Sequence, residues 1–211
     1  MDEGNAIYEH AQALLAGGEG GESLVKAAEA MRKAANAGHA AAANNFGTML
    51  HHGRGVHKDL AAARAYYHQA AETGLPTARF NLGFMLVRGL GGEKDLPRAR
   101  TLFLLAAEDG EVDAITHLGA MMMTATGGDQ DFAAAREWWT RGARLGDSRC
   151  AFNLGIAHAG GHWGESDFIA AWHWFREAER LGNAGAGVEL ERLESVMSDE
   201  EHAAAKACAA R

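Results

Sequence analysis

ARFNLGFMLVRGLGGEKDLPRARTLFLLAAEDG, residues 78–110, is the stretch that decides the fold. It runs from an apolar segment holding Gly83, through Gly89-Leu90-Gly91, to Asp95 and an alanine-rich segment that closes on Gly110. Shifted by 36 residues it recurs along the chain. Gly47, Gly83, Gly119 and Gly155 keep that step, as do Gly74, Gly110, Gly146 and Gly182. The same holds for Asp59, Asp95, Asp131 and Asp167, for Ala63, Ala99, Ala135 and Ala171, and for the aromatics Tyr67, Phe103, Trp139 and Phe175. Coincident series at one pitch predict an array of identical supersecondary units.

Each series has a physical reason. The aspartates precede amphipathic runs and are placed to accept hydrogen bonds from the free N–H groups of a helix start. The Gly74 series follows those runs, where a left-handed residue closes a helix. This gives a second helix, B, of about fifteen residues between cap and stop. The Gly47 series falls inside the first helix, A, where glycine costs about 1 kcal/mol relative to alanine unless close helix approach compensates. Gly53-Arg54-Gly55, Gly89-Leu90-Gly91, Ala125-Thr126-Gly127 and Gly161-His162-Trp163 read as the A-to-B turns rather than phosphate loops, since no strand precedes them.

The expected organisation is one all-α domain over 1–211: a degenerate repeat at 3–38, repeats at 39–74, 75–110, 111–146 and 147–182, and a helical cap at 183–211. In the degenerate repeat Ser23 stands where the aspartate cap belongs, and Glu191 occupies the next glycine slot and ends the array. Ser198-Asp199-Glu200-Glu201 has the form of a capping box opening a short final helix. A solenoid needs such a cap over its last apolar face.

Composition supports this organisation. Only Pro76 and Pro97 occur, alanine is abundant, and 47% of residues are hydrophobic, so helix is favoured throughout. A net charge of -8 supplies no basic field for phosphates, which argues against nucleic acid as a partner. The acidic opening Met1-Asp2-Glu3-Gly4-Asn5 lacks the basic start of a secretory signal, and no segment approaches a membrane span. A cytoplasmic chain without membrane insertion is expected. A periplasmic or secreted chain whose signal had been removed would read the same way.

The pattern from Ala78 through Leu82-Gly83, Gly89-x-Gly91, Asp95, Ala99, Phe103, Ala106-Ala107 and Gly110 resembles the Sel-one-like repeat family, a relative of the tetratricopeptide repeat. Gly155 through Gly182 resembles it too, with Ala171-Trp172-His173-Trp174-Phe175 where the family usually has Ala-x-x-Trp-Tyr. The resemblance implies a right-handed α/α superhelix with helix A on the concave side, serving as an adaptor or scaffold for protein partners. Leu50, Leu86, Met122 and His158 stand where the family usually places a tyrosine, and the paired cysteines of its secreted relatives are missing.

Chemistry-bearing residues are sparse. His158 and His162 are four apart, and His51, His52 and His57 cluster at an equivalent turn, but zinc wants three or four ligands in matched geometry. No cofactor or metal is expected. Cys150 takes the small-residue slot of Ala42, Ala78 and Ala114 and reads as core; a single bridge to Cys208 stays open. No catalytic residue is assigned, and no enzyme is expected.

What remains is the face of helix A opposite its packing row. Phe80, Phe84, Val87, Ile115, Met123, Phe152 and Ile156 give it an apolar character, Arg79 and Arg88 are placed to meet carboxylates, and Asn45, Asn81, His117 and Asn153 form a polar row. The site expected to bind a peptide or protein segment is therefore Arg79, Phe80, Phe84, Val87, Arg88, His117, Met123, Asn153 and Ile156. Two alternatives stay open: an effector, inhibitor or immunity-type protein blocking one partner, and a hydrolase-like enzyme with a metal or thiol site.

Overall fold

The periodic caps and glycines become twelve helices and no strand among the described residues, 3–17 and 20–209 of a computed structural model. The chain forms two compact units, 1–111 and 112–211. The first holds three A/B pairs: α1 (Glu3–Ala16) with α2 (Gly21–Asn36), α3 (Ala40–His52) with α4 (Leu60–Glu72), and α5 (Pro76–Arg88) with α6 (Leu96–Glu108). The second holds α7 (Val112–Met123) with α8 (Phe132–Arg144) and α9 (Ser148–Ala159) with α10 (Phe168–Arg180). It ends in α11 (Ala186–Glu194) and α12 (Asp199–Ala209).

The four aspartates act as caps. Their carboxylates accept from the amides of Ala62, Arg98, Ala134 and Ala170 at 2.9–3.1 Å. Their own amides donate back to the carbonyls of Leu50, Leu86, Met122 and His158 near the end of helix A, at 3.0–3.1 Å. One residue thus starts helix B and ties it to helix A. The helices so started run for thirteen residues, slightly shorter than the sequence spacing implies.

Close approach explains the glycines inside helix A. A Cβ on Gly47, Gly83, Gly119 or Gly155 would lie 2.9, 2.7, 2.3 or 2.6 Å from the ring of Tyr67, Phe103, Trp139 or Phe175 respectively. Each helix B aromatic lies on the bare backbone of its own helix A, and all four are buried. In the first pair, Ala11 and the buried Met31 take these two positions, so a flexible thioether replaces a ring where the glycine is lost.

Two local expectations are corrected. Ser23 does not cap α2: that helix begins earlier, after Gly20, and the Ser23 hydroxyl donates to the Leu14 carbonyl at 2.8 Å. The polar row on helix A is also displaced. Asn81 donates to Asn44 at 2.8 Å, and Asn45 donates to the Tyr8 hydroxyl at 3.2 Å. Both pairs are 37 residues apart. Side chains lean toward the helix N-terminus, so successive helices need not meet at equivalent positions.

The capping box forms as the sequence suggests, with Glu201 accepting from the Ser198 amide at 2.8 Å and the Glu201 amide donating to the Ser198 hydroxyl. Leu190, Leu193, Met197 and Ala205 pack on Ala171, Trp172 and Phe175, so α11 and α12 cover α10.

Candidate partner-binding surfaces

In the first unit the expected residues fall on α5. Phe80 and Phe84 lie 6.4 Å apart between ring centroids, and the Arg88 guanidinium sits 5.4 Å from the Phe84 centroid. Phe80, Phe84 and Val87 are half-buried, and Arg88 is exposed. Phe80 also rests on Phe103, so part of its surface belongs to the core. Arg79 is engaged within the unit: its guanidinium donates to Asp109 at 2.7 Å and its side chain is only 20% exposed.

In the second unit His117, Met123, Phe152 and Asn153 are half-buried on α7 and α9 and Ile156 is 40% exposed, whereas Ile115, expected on the same face, is fully buried in the core. Ile156 opens onto a feature that the repeat pattern alone does not reveal. A pocket of about 280 Å³ lies between α9, α10 and α11, with Ile156, Ala159, Phe168, Leu193 and Val196 as walls and buried Phe175 as floor. Arg192 and Glu189, an ion pair at 3.8 Å, also line it. Small-molecule sites run from roughly 300 to 1,000 Å³. This pocket is at the lower edge, a size suited to one or two apolar side chains. The sequence signal is Glu191 in the glycine slot, which marks where stacking changes and leaves an apolar face partly uncovered.

The titratable groups have structural surroundings. Cys150 is fully buried, and burial pushes its thiol up to about 11 despite a contact with Thr116 Oγ1 at 3.2 Å. Gly142 accommodates it: a Cβ there would lie 2.4 Å from the Cys150 sulfur, and the equivalent positions in the other repeats are alanines. A neutral, enclosed thiol is a poor nucleophile. The side chain of Cys208 lies outside the described residues. His158 packs edge-on against Trp163 with Asp167 3.9 Å away, and burial holds its imidazole below the usual value against the pull of that carboxylate. His162 instead packs on Phe132, and His51 stacks on His52. No group of three or more His, Cys, Asp or Glu among the described residues could hold a metal ion.

Asp147 caps α9 from a buried position. It accepts from the Arg149 and Cys150 amides at 2.8 and 3.0 Å and from the Arg149 guanidinium, which also reaches Asp113. Burial pushes its carboxyl up, but the hydrogen bonds from Arg149 and from the Cys150 amide prevail and hold it below the usual range. No helix among the described residues is long and apolar enough to cross a membrane.

Comparison with known proteins agrees with this architecture. The Sel1 repeat matches residues 4–39, 40–75, 76–111, 112–147 and 148–183. The chain is similar in structure to a protective antigen of uropathogenic Escherichia coli with an SLR fold, at 30% identity and a TM-score of 0.84. That match covers 90% of this chain and 40% of the antigen, so the chain spans well under half of that relative. It is also similar to a Sel1 repeat protein from Oxalobacter formigenes, at 26% identity and a TM-score of 0.80 over 88% of this chain and 76% of the other. An immunity protein from Pseudomonas aeruginosa shares the fold at 19% identity and a TM-score of 0.53, over 88% and 69% of the two chains. No curated protein matches the chain. With five consecutive matches running from residue 4 to residue 183, the chain belongs to the Sel1 repeat family.

Proposed function

We propose that the chain is a non-catalytic adaptor that holds a protein segment on its helix A faces, with an apolar side chain of the partner anchored beside Ile156. Sel1 repeat proteins are in general protein-interaction scaffolds and typically non-enzymatic. The finer reading rests on one observation, the open apolar pocket bounded by Ile156, Phe168, Leu193 and Val196. Exposed apolar surface gathered in a concavity is what a partner's side chain can desolvate, and Val196 is 62% exposed at its edge. Arg192 and Glu189, which also line the pocket, supply polar contacts that fix the orientation of a bound segment. In the first unit, Phe84 with Arg88 above it offers a second apolar contact joined to a charge.

The likeness to the Pseudomonas immunity protein carries fold alone, and no observation favours a blocking role over an adaptor role. The test is affinity capture from cell extract with wild type, Ile156→Asp, Phe84→Asp and Arg88→Glu, each variant checked for an unchanged helical spectrum. Ile156→Asp is expected to reduce recovery of a captured partner at least about tenfold, equivalent to about 1.4 kcal/mol. Identical recovery by wild type and all three variants would sink the proposal.

A further inference from the structure

A different face of the second unit departs from the repeat in a way that scaffold needs do not explain. Gly55, Gly91 and Gly127 share one turn slot, which is filled by Trp163 in the last turn. A Cβ on Gly55 or Gly91 would lie 2.3 or 2.2 Å from the carbonyl oxygen of Leu24 or Leu60. In the last turn that carbonyl belongs to Phe132, and the Trp163 indole N–H donates to it at 2.7 Å. The hydrogen bond seats the ring, while the indole remains half-buried rather than enclosed.

The ring changes what an arginine does. Arg64 and Arg136 occupy equivalent positions in α4 and α8. Arg64 donates to the Glu93 carbonyl at 2.9 Å, with Gly92 making room for it. Arg136 instead lies over Trp163, 5.5 Å from the ring centroid, and is exposed. Stacking on an aromatic face holds a guanidinium flat while its N–H edge stays available for bidentate contact with a carboxylate.

The same face of α8 carries Arg141, placed over Trp138 at 5.3 Å, and Arg144, at a position held by Glu72 in α4 and Glu108 in α6. Ala133, Arg136, Thr140, Arg141, Arg144 and Trp163 line one open groove of about 600 Å³, with Glu137 its only acidic residue. Three arginines against one carboxylate make this groove basic in a chain of net charge -8.

We propose that this α8 groove is a second docking surface, whose occupant is an acidic protein segment bearing an apolar residue. The arginines meet its carboxylates, and Trp163 with Ala133 receives the apolar side chain. A local patch inside an acidic chain favours a short acidic peptide over a nucleic acid, whose binding scales with the number of phosphates neutralised.

Selection of a random-peptide display library on the intact chain tests this, with depletion on the Arg136→Glu/Arg144→Glu variant. Survivors are expected to be enriched in Asp and Glu around an aromatic or aliphatic residue. A labelled survivor should lose at least about tenfold in affinity on either charge reversal and bind more weakly as salt rises. Trp163→Gly, which restores the residue of the other turns, should weaken it several-fold while the chain stays folded by circular dichroism. The same reversal at exposed Arg32 of α2 should leave binding unchanged. A library without acidic enrichment overturns the proposal. So does a single-stranded oligonucleotide that displaces the peptides and depends on the same arginines.

Discussion

The A-to-B turns after α3 and α5 in the first unit and the two of the second follow one pattern, yet only the pair in the first unit keeps both glycines. Gly53 and Gly55, like Gly89 and Gly91, all have φ between +67° and +74°. In the second unit Ala125 holds the first slot of one turn at φ +55°, and Trp163 holds the second slot of the other. Where a slot is filled as the repeat demands, the residue is explained by the scaffold. Where it is not, the chain accepts strain, as at Ala125, or rebuilds the turn around Gly161 and Gly164, as at Trp163.

The sharpest way to break this contrast is Gly91→Ala. The substitution forces a left-handed backbone on alanine and sets its methyl against the Leu60 carbonyl, which is backbone and cannot swing away. Strain and displacement together are expected to destabilise the chain by about 3 kcal/mol, read from denaturant unfolding. Ala125 sits left-handed in the second unit, at a cost of about 1–2 kcal/mol. If Gly91→Ala is tolerated within about 0.5 kcal/mol, the glycine slots are not what holds these turns.

The helix caps offer a milder contrast. Asp59 is exposed, so Asp59→Asn keeps a good cap and should change stability by no more than about 0.5 kcal/mol. Asp147 is buried and tied to Arg149 as well as to two amides. Asp147→Asn removes the charge that Arg149 meets, with an expected loss of about 2 kcal/mol at pH 7. The folded carboxyl titrates below its unfolded value of about 3.9. Its contribution is therefore complete above that pH and lost as pH falls through the folded value. The gap between wild type and Asp147→Asn should accordingly narrow below about pH 4 in thermal unfolding. A gap that is the same at pH 3 and pH 7 would mean that the charge contributes nothing.

Much of the scaffold was legible because a repeat fixes chemistry by position. The Gly83 and Phe103 series, the Asp95 caps and the Gly110 stops each answer to a constraint met in every unit. Contacts that do not repeat were hidden. Arg79 is held by Asp109, thirty residues on, a partner that no repeat position marks. Ser23 shared a cap's position but found the Leu14 carbonyl instead. The pocket beside Ile156 could not be read because it is made by incomplete cover, where Leu193 and Val196 approach α9 and α10 without a further repeat. Periodicity reports the residues that fill a slot and is silent about space that none fills.

The smallest expected effect separates strain that serves recognition from strain that does not. Ala125 is exposed, so Ala125→Gly forfeits no packing. The left-handed conformation costs alanine about 1–2 kcal/mol. Glycine relieves that cost but adds about 0.5–1 kcal/mol of unfolded-state entropy. A net gain of about 0.5–1 kcal/mol should therefore appear in denaturant unfolding, giving this turn the glycine found at Gly53, Gly89 and Gly161. Affinity for the α8 peptides should stay the same, because the groove is lined by residues of α8 and by Trp163 and not by Ala125. Stabilisation with unchanged binding would leave Trp163 as the departure in these turns that acts in recognition. Weakened binding would instead tie the strained turn to the groove and break the distinction between the two substitutions.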